Sequence, residues 1–154
     1  MMKEIKTIGV VGAGQMGRGI AQVAASAGYQ TKIFDVSAEC LENGVAFIHQ
    51  QLARSLAKGR ITQEQLDQTV LLIDPISKLD GLSDCDLVIE AATENRKIKF
   101  EIFQQLDSTI KSGAILATNP SSISITEIAA VTSRPELVVG MHFMNPVPVM
   151  KLVE

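Results

Sequence analysis

The sequence predicts an α/β fold, a doubly wound and mainly parallel sheet with helices on both faces. Short runs rich in β-branched residues alternate with stretches whose apolar residues recur at helical spacing. The chain is 46% hydrophobic but only 4% aromatic, so Val, Ile, Leu, Ala and Met must form its core, as in parallel sheets buried on both faces. A length of 154 residues fits one such domain over residues 1–154.

The beginning of the chain predicts a complete βαβ unit. Residues 5–11 read as a strand, and a glycine-rich turn follows at once. The next helix has apolar residues such as Ile20 and Ala24 at helical spacing, and Gly28 stands where a helix C-terminal cap is expected. Residues 30–36 then form the second strand.

Two helices in succession are predicted after the second strand. Ser37 is a candidate N-cap with Glu39 in the first turn, and the helix runs toward Lys58 and ends at Gly59. Thr62 is the candidate cap of the second helix. This helical insertion interrupts the βα alternation, and connecting segments of this kind often contact a substrate.

The rest of the chain returns to alternating strands and helices. In order, the predicted elements are a strand segment at 73–76, a strand at 85–92, a helix at 95–110 closed by Gly113, a strand at 114–118, a turn at 119–122, a short helix with Thr126 as its cap, and a strand at 138–142.

Composition excludes several classes of partner. The net charge is −3 and the Lys and Arg residues form no block longer than a pair, so a nucleic-acid partner is not expected. Cys40 and Cys85 lie far apart and no signal peptide is recognisable, which favours reduced thiols in a cytoplasmic protein and no metal site. No apolar run approaches the roughly 20 residues of a transmembrane helix, so we expect no membrane partner.

The glycine-rich turn predicts a dinucleotide site in a Rossmann-type fold. Gly12 permits the tight turn, Gly14 lets the backbone approach a pyrophosphate, and Gly17 lets the helix pack closely. Asp35 would accept hydrogen bonds from the adenine ribose and repel the extra phosphate of NADP, so the predicted cofactor is NAD. The alternative is a plain tight turn with Asp35 as a helix cap. The predicted cofactor-binding residues of the turn are Gly12, Ala13, Gly14, Gln15, Met16 and Gly17.

His142 and Glu154 are the candidate catalytic residues. His142 follows the last predicted strand, at the edge where open α/β sheets bind ligands, and histidine suits removal of a hydroxyl proton as hydride leaves. Glu154 could fix the tautomer of the imidazole. The prolines in residues 145–148 rigidify the segment between them. A structural hydrogen-bonding role for His142 and a solvated Glu154 are the alternatives, and His49 has no predicted chemistry.

Four motifs together resemble the L-3-hydroxyacyl-CoA dehydrogenase family over essentially the whole chain. They are the glycine-rich turn with Asp35, residues 91–95, residues 119–122 and residues 142–154. This family includes bacterial 3-hydroxybutyryl-CoA dehydrogenases and the dehydrogenase parts of fatty-acid oxidation complexes. The resemblance implies NAD-dependent oxidation of a (3S)-3-hydroxyacyl-CoA to the 3-oxoacyl-CoA, or the reverse reduction.

The same resemblance implies roles for single residues. His142 would be the general base, Glu154 its partner, and Ser121 the hydroxyl that binds the substrate oxygen beside the nicotinamide. Glu94 and Asn145 would line the cofactor site.

Two lysines are further candidates by resemblance. Lys99 falls where the family has a cofactor-contacting lysine. The family's helical insertion contacts CoA, so Lys58, near Arg54, is a candidate contact of the CoA phosphates. For both lysines the alternative is a solvated helix face.

Enzymes of this family continue into an all-helical domain, which carries a further catalytic asparagine and most of a homodimer interface. That domain is absent from these 154 residues, so we expect them to bind dinucleotide with little turnover, and the full-length enzyme to be a homodimer that acts on acyl-CoA. Two alternatives stay open. One is another β-hydroxyacid dehydrogenase with the same first domain, and the other is an NAD-binding module or crystallin-like relative without turnover.

Overall fold

Six strands form one parallel sheet in the computed structural model, which describes residues 3–120 and 122–154. In chain order they are β1 (Thr7–Val11), β2 (Gln30–Phe34), β3 (Ile73–Ile76), β4 (Leu87–Glu90), β5 (Ile115–Thr118) and β6 (Val138–Gly140). Every neighbouring pair is parallel, and the order across the sheet is β3-β2-β1-β4-β5-β6. This is the strand order of dinucleotide-binding doubly wound folds, so the predicted Rossmann-type fold is confirmed.

Five α-helices connect the strands in the described residues. They are α1 (Gln15–Ser26), α2 (Ala38–Ala57), α3 (Gln63–Leu72), α4 (Arg96–Thr109) and α5 (Ile125–Ala130), and short 3-10 turns lie at Leu79–Leu82 and Pro135–Leu137. The predicted pair of successive helices after the second strand is confirmed as α2 and α3. None of these helices is both long and apolar enough to cross a membrane.

The sheet is buried on both faces. Val10 and Val11 are neighbours in β1 but belong to different apolar clusters, because successive side chains of a strand point to opposite faces. Val10 packs in the cluster that includes Ile48 of α2, and Val11 packs in the cluster that includes Phe103 of α4. Burial on both faces explains why the strands read as continuous apolar runs.

The predicted starts of α2 and α3 are confirmed by their caps. The Ser37 hydroxyl accepts a hydrogen bond from the backbone N–H of Cys40 (3.1 Å) at the start of α2. At α3, the Thr62 hydroxyl accepts from the Gln65 N–H (3.1 Å), and the Gln65 side chain accepts from the Thr62 N–H (2.9 Å). Together these two bonds form a capping box. Gly28 follows α1 with a φ of +98°, as a helix-ending glycine does.

Several predicted boundaries are wrong. The strand predicted at 85–92 spans only Leu87–Glu90, and the strand predicted at 30–36 ends at Phe34. α5 begins at Ile125 after Ser124, whose backbone is extended, so Thr126 lies inside the first turn and is not the cap. The last strand ends at Gly140, two residues before His142. The backbone of His142 leaves the sheet because it pairs with Glu154, whose carbonyl oxygen accepts from the His142 N–H (2.6 Å).

Candidate active site

The carboxyl ends of the parallel strands meet at one edge of the sheet. Backbone hydrogen bonds continue past the strand ends, where Gly12 N–H donates to Phe34 and Ala91 N–H donates to Val11, both at 2.8 Å. The strand order reverses between β1 and β4, because β2 and β3 follow on one side of β1 whereas β4, β5 and β6 follow on the other. Open α/β sheets bind ligands in the crevice at such a switch point. The glycine-rich turn and residues 91–94 lie side by side at this crevice.

Backbone atoms pack so closely around Gly12 and Gly17 of the glycine-rich turn that neither position has room for a side chain. Gly12 has a φ of +108°, and a Cβ there would lie 2.7 Å from the Ala91 carbonyl oxygen. A Cβ on Gly17 would collide with the Gly12 carbonyl oxygen. At Gly14, by contrast, no described atom outside the adjacent residues lies within 4 Å of the place of a Cβ. Gly14 is also the N-cap residue of α1, so no cap side chain covers the start of this helix. Open space before unblocked N–H groups at a helix N-terminus suits a pyrophosphate.

The Asp35 carboxylate is held beside the turn. Its Oδ2 accepts from the Ala13 N–H and its Oδ1 from the Ser37 N–H, both at 2.9 Å. Asp35 therefore joins the turn to the start of α2, while Ser37 is the residue that caps that helix. Burial and a hydrogen bond to Asp35 raise the pKa of Cys40, so this neighbour stays a neutral thiol.

Two cavities lie along this edge. One, of about 400 Å³, has Asp35 at its border and largely apolar walls that include Val36 and Ile98. The other, of about 340 Å³, is bordered by the glycine-rich turn and by Glu94 and Asn119. The structure thus brings Glu94 next to the predicted turn residues Gly14, Gln15 and Met16.

Lys99 is not on a solvated helix face, and that alternative is wrong. Its side chain is 1% exposed, and its Nζ lies 2.7 Å from a Glu90 carboxylate oxygen. The ammonium also donates to the Thr118 hydroxyl (3.1 Å). Lys99 borders the second cavity, but within the described residues its ammonium contacts buried groups of β4 and β5. Contact between Lys99 and a cofactor stays a prediction.

His142 and Glu154 are adjacent in the structure. His142 Nδ1 lies 3.6 Å from Glu154 Oε2, and the side chains are 46% and 62% exposed. Their backbones exchange two hydrogen bonds of 2.6 and 3.0 Å. Asn119, at the end of β5, accepts from the N–H of Phe143 (3.2 Å) and so links this hairpin to the sheet. The pair is therefore held by backbone contacts while its side chains stay accessible.

The segment between the two candidate catalytic residues packs on α1. A Cβ at Gly19 would lie 2.9 Å from Cβ of Val147, which is buried, so only a glycine allows this approach. Above this contact, the Gln15 amide donates to Asn145 Oδ1 (3.4 Å). Asn145 therefore stands between the glycine-rich turn and the His142 hairpin.

Arg18 lies in a small groove next to Asn145. The guanidinium stacks on the Phe47 ring, 3.6 Å from its centroid. Among the described residues, its side chain has no hydrogen bond and no ion pair. The groove has a volume of about 160 Å³, and Gln22 and Gln51 also line it. A cation without an ion pair beside this groove suits an anionic ligand.

The structure describes one of the two remaining predicted residues. Lys58 is exposed at the end of α2. Ser121 lies outside the described residues. No group of three or more His, Cys, Asp or Glu residues placed to hold a metal ion occurs in the described ranges 3–120 and 122–154.

Sequence reasoning missed Glu90, Thr118, Arg18 and Phe47. An acidic residue at the end of an otherwise apolar strand was a signal for Glu90, since a buried carboxylate needs a partner. No local pattern pairs Arg18 with Phe47, because their contact joins two helices.

Comparison with known proteins agrees with this geometry. A family model described as "3-hydroxyacyl-CoA dehydrogenase, NAD binding domain" matches residues 7–154. The chain is 51% identical to a 3-hydroxybutyryl-CoA dehydrogenase of Bradyrhizobium diazoefficiens and 46% identical to a 3-hydroxyadipyl-CoA dehydrogenase of Escherichia coli. Both matches cover all of this chain, but 53% and 32% of the respective relatives.

Solved structures give the same result. The crystal structure of an (S)-3-hydroxybutyryl-CoA dehydrogenase from Ralstonia eutropha superposes with a TM-score of 0.94 at 45% identity. The match covers 97% of this chain and 53% of that protein. The chain thus spans about half the length of such relatives.

Proposed function

The chain belongs to the 3-hydroxyacyl-CoA dehydrogenase family, whose NAD-binding domain it matches, and from this premise we propose that the full-length protein interconverts (3S)-3-hydroxyacyl-CoA and 3-oxoacyl-CoA. The cofactor of this domain family is NAD, as Asp35 predicts. The proposal adds the reaction and the residues that perform it.

The residues at the switch point fit NAD. The free space before Gly14 and the unblocked start of α1 would hold the pyrophosphate. Asp35, oriented by Ala13 and Ser37, would bind the adenine ribose, and Glu94 and Asn145 would border the nicotinamide half. When bound, NAD supplies the hydride acceptor.

In this proposal His142 is the general base. As hydride leaves the substrate carbon, the imidazole takes the proton of the hydroxyl on that carbon, so the O–H and C–H bonds break while the C=O bond forms. Nδ1 of His142 faces Glu154, so Nε2 is the atom that receives the proton. The Glu154 carboxylate orients the ring and stabilises the imidazolium. By family resemblance, Ser121 would hold the substrate oxygen.

One observation carries the proposal: the His142 and Glu154 pair stands at the same sheet edge as the glycine-rich turn. Asn145 connects the two, because it lies three residues after His142 and accepts from Gln15 of the turn. A proton acceptor beside a dinucleotide crevice is what oxidation of a secondary alcohol requires.

The acyl-CoA part of the proposal rests on the groove beside Asn145. Arg18 leaves its guanidinium without an anionic partner in the described residues, and Lys58 adds an exposed cation at the end of α2. CoA carries several phosphates, which Arg and Lys side chains bind. We therefore propose that Arg18 and Lys58 bind the phosphates of CoA. The acyl group would lie in the crevice at Asn145.

The direct test measures NADH oxidation by the full-length protein with acetoacetyl-CoA. We expect steady turnover with NADH, much less with NADPH, and a raised KM in an Arg18→Gln variant. With the acetoacetyl thioester of pantetheine, which lacks the nucleotide and the phosphates of CoA, Arg18→Gln should change KM little.

Two results would contradict this proposal. NADH binding without turnover on any acyl-CoA would identify a dinucleotide-binding module of the crystallin-like kind. Turnover on free 3-hydroxy acids, with none on their thioesters, would identify another β-hydroxyacid dehydrogenase.

We further propose that the full-length protein is a cytoplasmic homodimer that serves fatty-acid or butanoate metabolism. The family resemblance supports this setting. Analytical ultracentrifugation of the full-length protein should give twice the monomer mass.

A further inference from the structure

The long helix α2 meets the glycine-rich turn at a residue without a side chain. The buried residues of α2 are Gly44, Ile48 and Leu52, which recur every four residues and so lie on one face of the helix. Ile48 and Leu52 pack in the same apolar cluster as Ala13 of the turn. Gly44, the smallest of the three, faces Ala13 itself.

The backbone of the turn leaves no room for a side chain at Gly44. A Cβ there would lie 2.6 Å from the Ala13 carbonyl oxygen and 3.1 Å from the Ala13 Cβ. The nearer atom belongs to the backbone, so it cannot move aside as the end of a side chain can. Inside a helix, alanine is otherwise favoured over glycine. The absence of a side chain at position 44 therefore serves the contact with the turn and not the helix.

Asp35 holds the same residue of the turn from its other end. Its carboxylate accepts from the Ala13 N–H and from the N–H of Ser37, the N-cap of α2 (both 2.9 Å). Asp35 thus holds Ala13 at its N–H, while Gly44 lies against its carbonyl group. The position of α2 therefore determines where the chain enters Gly14, at the helix start that suits the pyrophosphate.

The same helix also orients Arg18. Phe47 follows Gly44 by three residues, and its ring stacks on the Arg18 guanidinium at 3.6 Å. The backbone N–H of Arg18 donates to the Gly14 carbonyl (3.0 Å) in the first turn of α1. A displacement of α2 from the turn would therefore move both the pyrophosphate site and the stacking partner of Arg18.

We infer that Gly44 is a positioning residue of the cofactor site, because its lack of a side chain lets α2 lie against Ala13 and fix the glycine-rich turn. The effect on NAD binding holds whether or not the proposed reaction is right. The accompanying effect on Arg18, and through it on acyl-CoA, rests on the proposed function.

A Gly44→Ala variant of the full-length protein tests the inference. We expect isothermal titration calorimetry to give a Kd for NADH about tenfold above that of the wild-type protein. Ala46→Gly, on the exposed face of the same helix, is the matched control. It lowers helix propensity, so it should lower the melting temperature but leave the Kd unchanged.

Two binding results would overturn the inference. One is a Kd within a factor of about two of the wild-type value in folded Gly44→Ala. The other is an equal loss of affinity in Ala46→Gly, which would attribute the effect to general destabilisation of α2.

Steady-state kinetics separate positioning from chemistry. With acetoacetyl-CoA, Gly44→Ala should raise KM but keep kcat at saturating substrate and NADH within about threefold, because the strain falls on Ala13 and not on the His142 hairpin. A loss of kcat with both binding constants unchanged would contradict the inference. Absence of turnover in the wild-type protein would refute the proposed function alone, since the NADH titration still decides the role of Gly44.

Hydrogen–deuterium exchange of the wild-type protein gives a second test if Gly44→Ala fails to fold. NADH should slow the exchange of amides at residues 44–48, where α2 lies against the turn, and leave those at residues 53–57 unchanged. Protection that stops at the glycine-rich turn and Ser37 would overturn the inference.

Discussion

Asp86 and Glu90 stand at opposite ends of β4 and show how buried carboxylates serve two purposes. The Asp86 carboxylate accepts from two backbone N–H groups and from Lys111, and thereby closes the amino edge of the sheet. Glu90 accepts from two backbone N–H groups and pairs with Lys99, and thereby shapes the cofactor edge. A carboxylate at the amino end of the strand stabilises the fold alone, whereas one at the carboxyl end also supports the cofactor site.

The contacts of Asp86 predict a pH dependence of stability. Hydrogen bonds from Lys111 and from the backbone of Lys6 and Thr7 hold its pKa well below the usual value. A depressed folded-state pKa adds stability above the unfolded-state pKa of about 3.9, and this stability is lost as the pH falls through the folded-state pKa.

An Asp86→Asn variant makes this dependence measurable. The melting temperature of the variant should lie well below that of the wild-type protein at pH 7, and the two values should begin to converge as the pH falls below about 4. Thermal unfolding followed by circular dichroism from pH 3 to 7 gives both curves. A difference that is independent of pH would exclude the charge of Asp86 as its cause.

At the scale of single elements, local signals predicted the helices better than the strand ends. Ser37 and Thr62 were recognisable as caps because capping acts within three residues of sequence. β6 was predicted too long because its end depends on a pairing between His142 and Glu154, twelve residues apart. Pairing of this kind leaves no local pattern in the sequence.

The turn before α1 predicts opposite effects for two of its glycines. Gly14→Ala places a methyl group in open space, so stability should be retained, but the methyl occupies the room of the pyrophosphate and NADH binding should weaken. Gly17→Ala drives a methyl group into the Gly12 carbonyl, so it should cost about 1–3 kcal/mol of stability and also weaken binding.

Chemical denaturation and NADH titration of the two glycine variants separate these effects. Equal destabilisation by both substitutions would contradict the description of the turn. Full NADH affinity in Gly14→Ala would contradict the assignment of the pyrophosphate site.

At the scale of the whole molecule, the sheet order brings together residues that are remote in sequence. Asp35, Glu94, Asn119 and His142 reach one edge because four parallel strands all end there. The alternation of strands and helices was enough to predict this edge. Family resemblance added which polar residues to assign, and neither source predicted the buried network of Glu90, because its partners are 9 and 28 residues away.

The measurement that tests the central claim most directly is the turnover of a His142→Gln variant of the full-length protein. With acetoacetyl-CoA and NADH, kcat should fall by about 10²–10⁴-fold, whereas the Kd for NADH should stay within a factor of about two. His49→Gln, on the exposed face of α2, is the matched control and should keep both values. Turnover of His142→Gln at the wild-type rate would contradict the assignment of His142 as the general base.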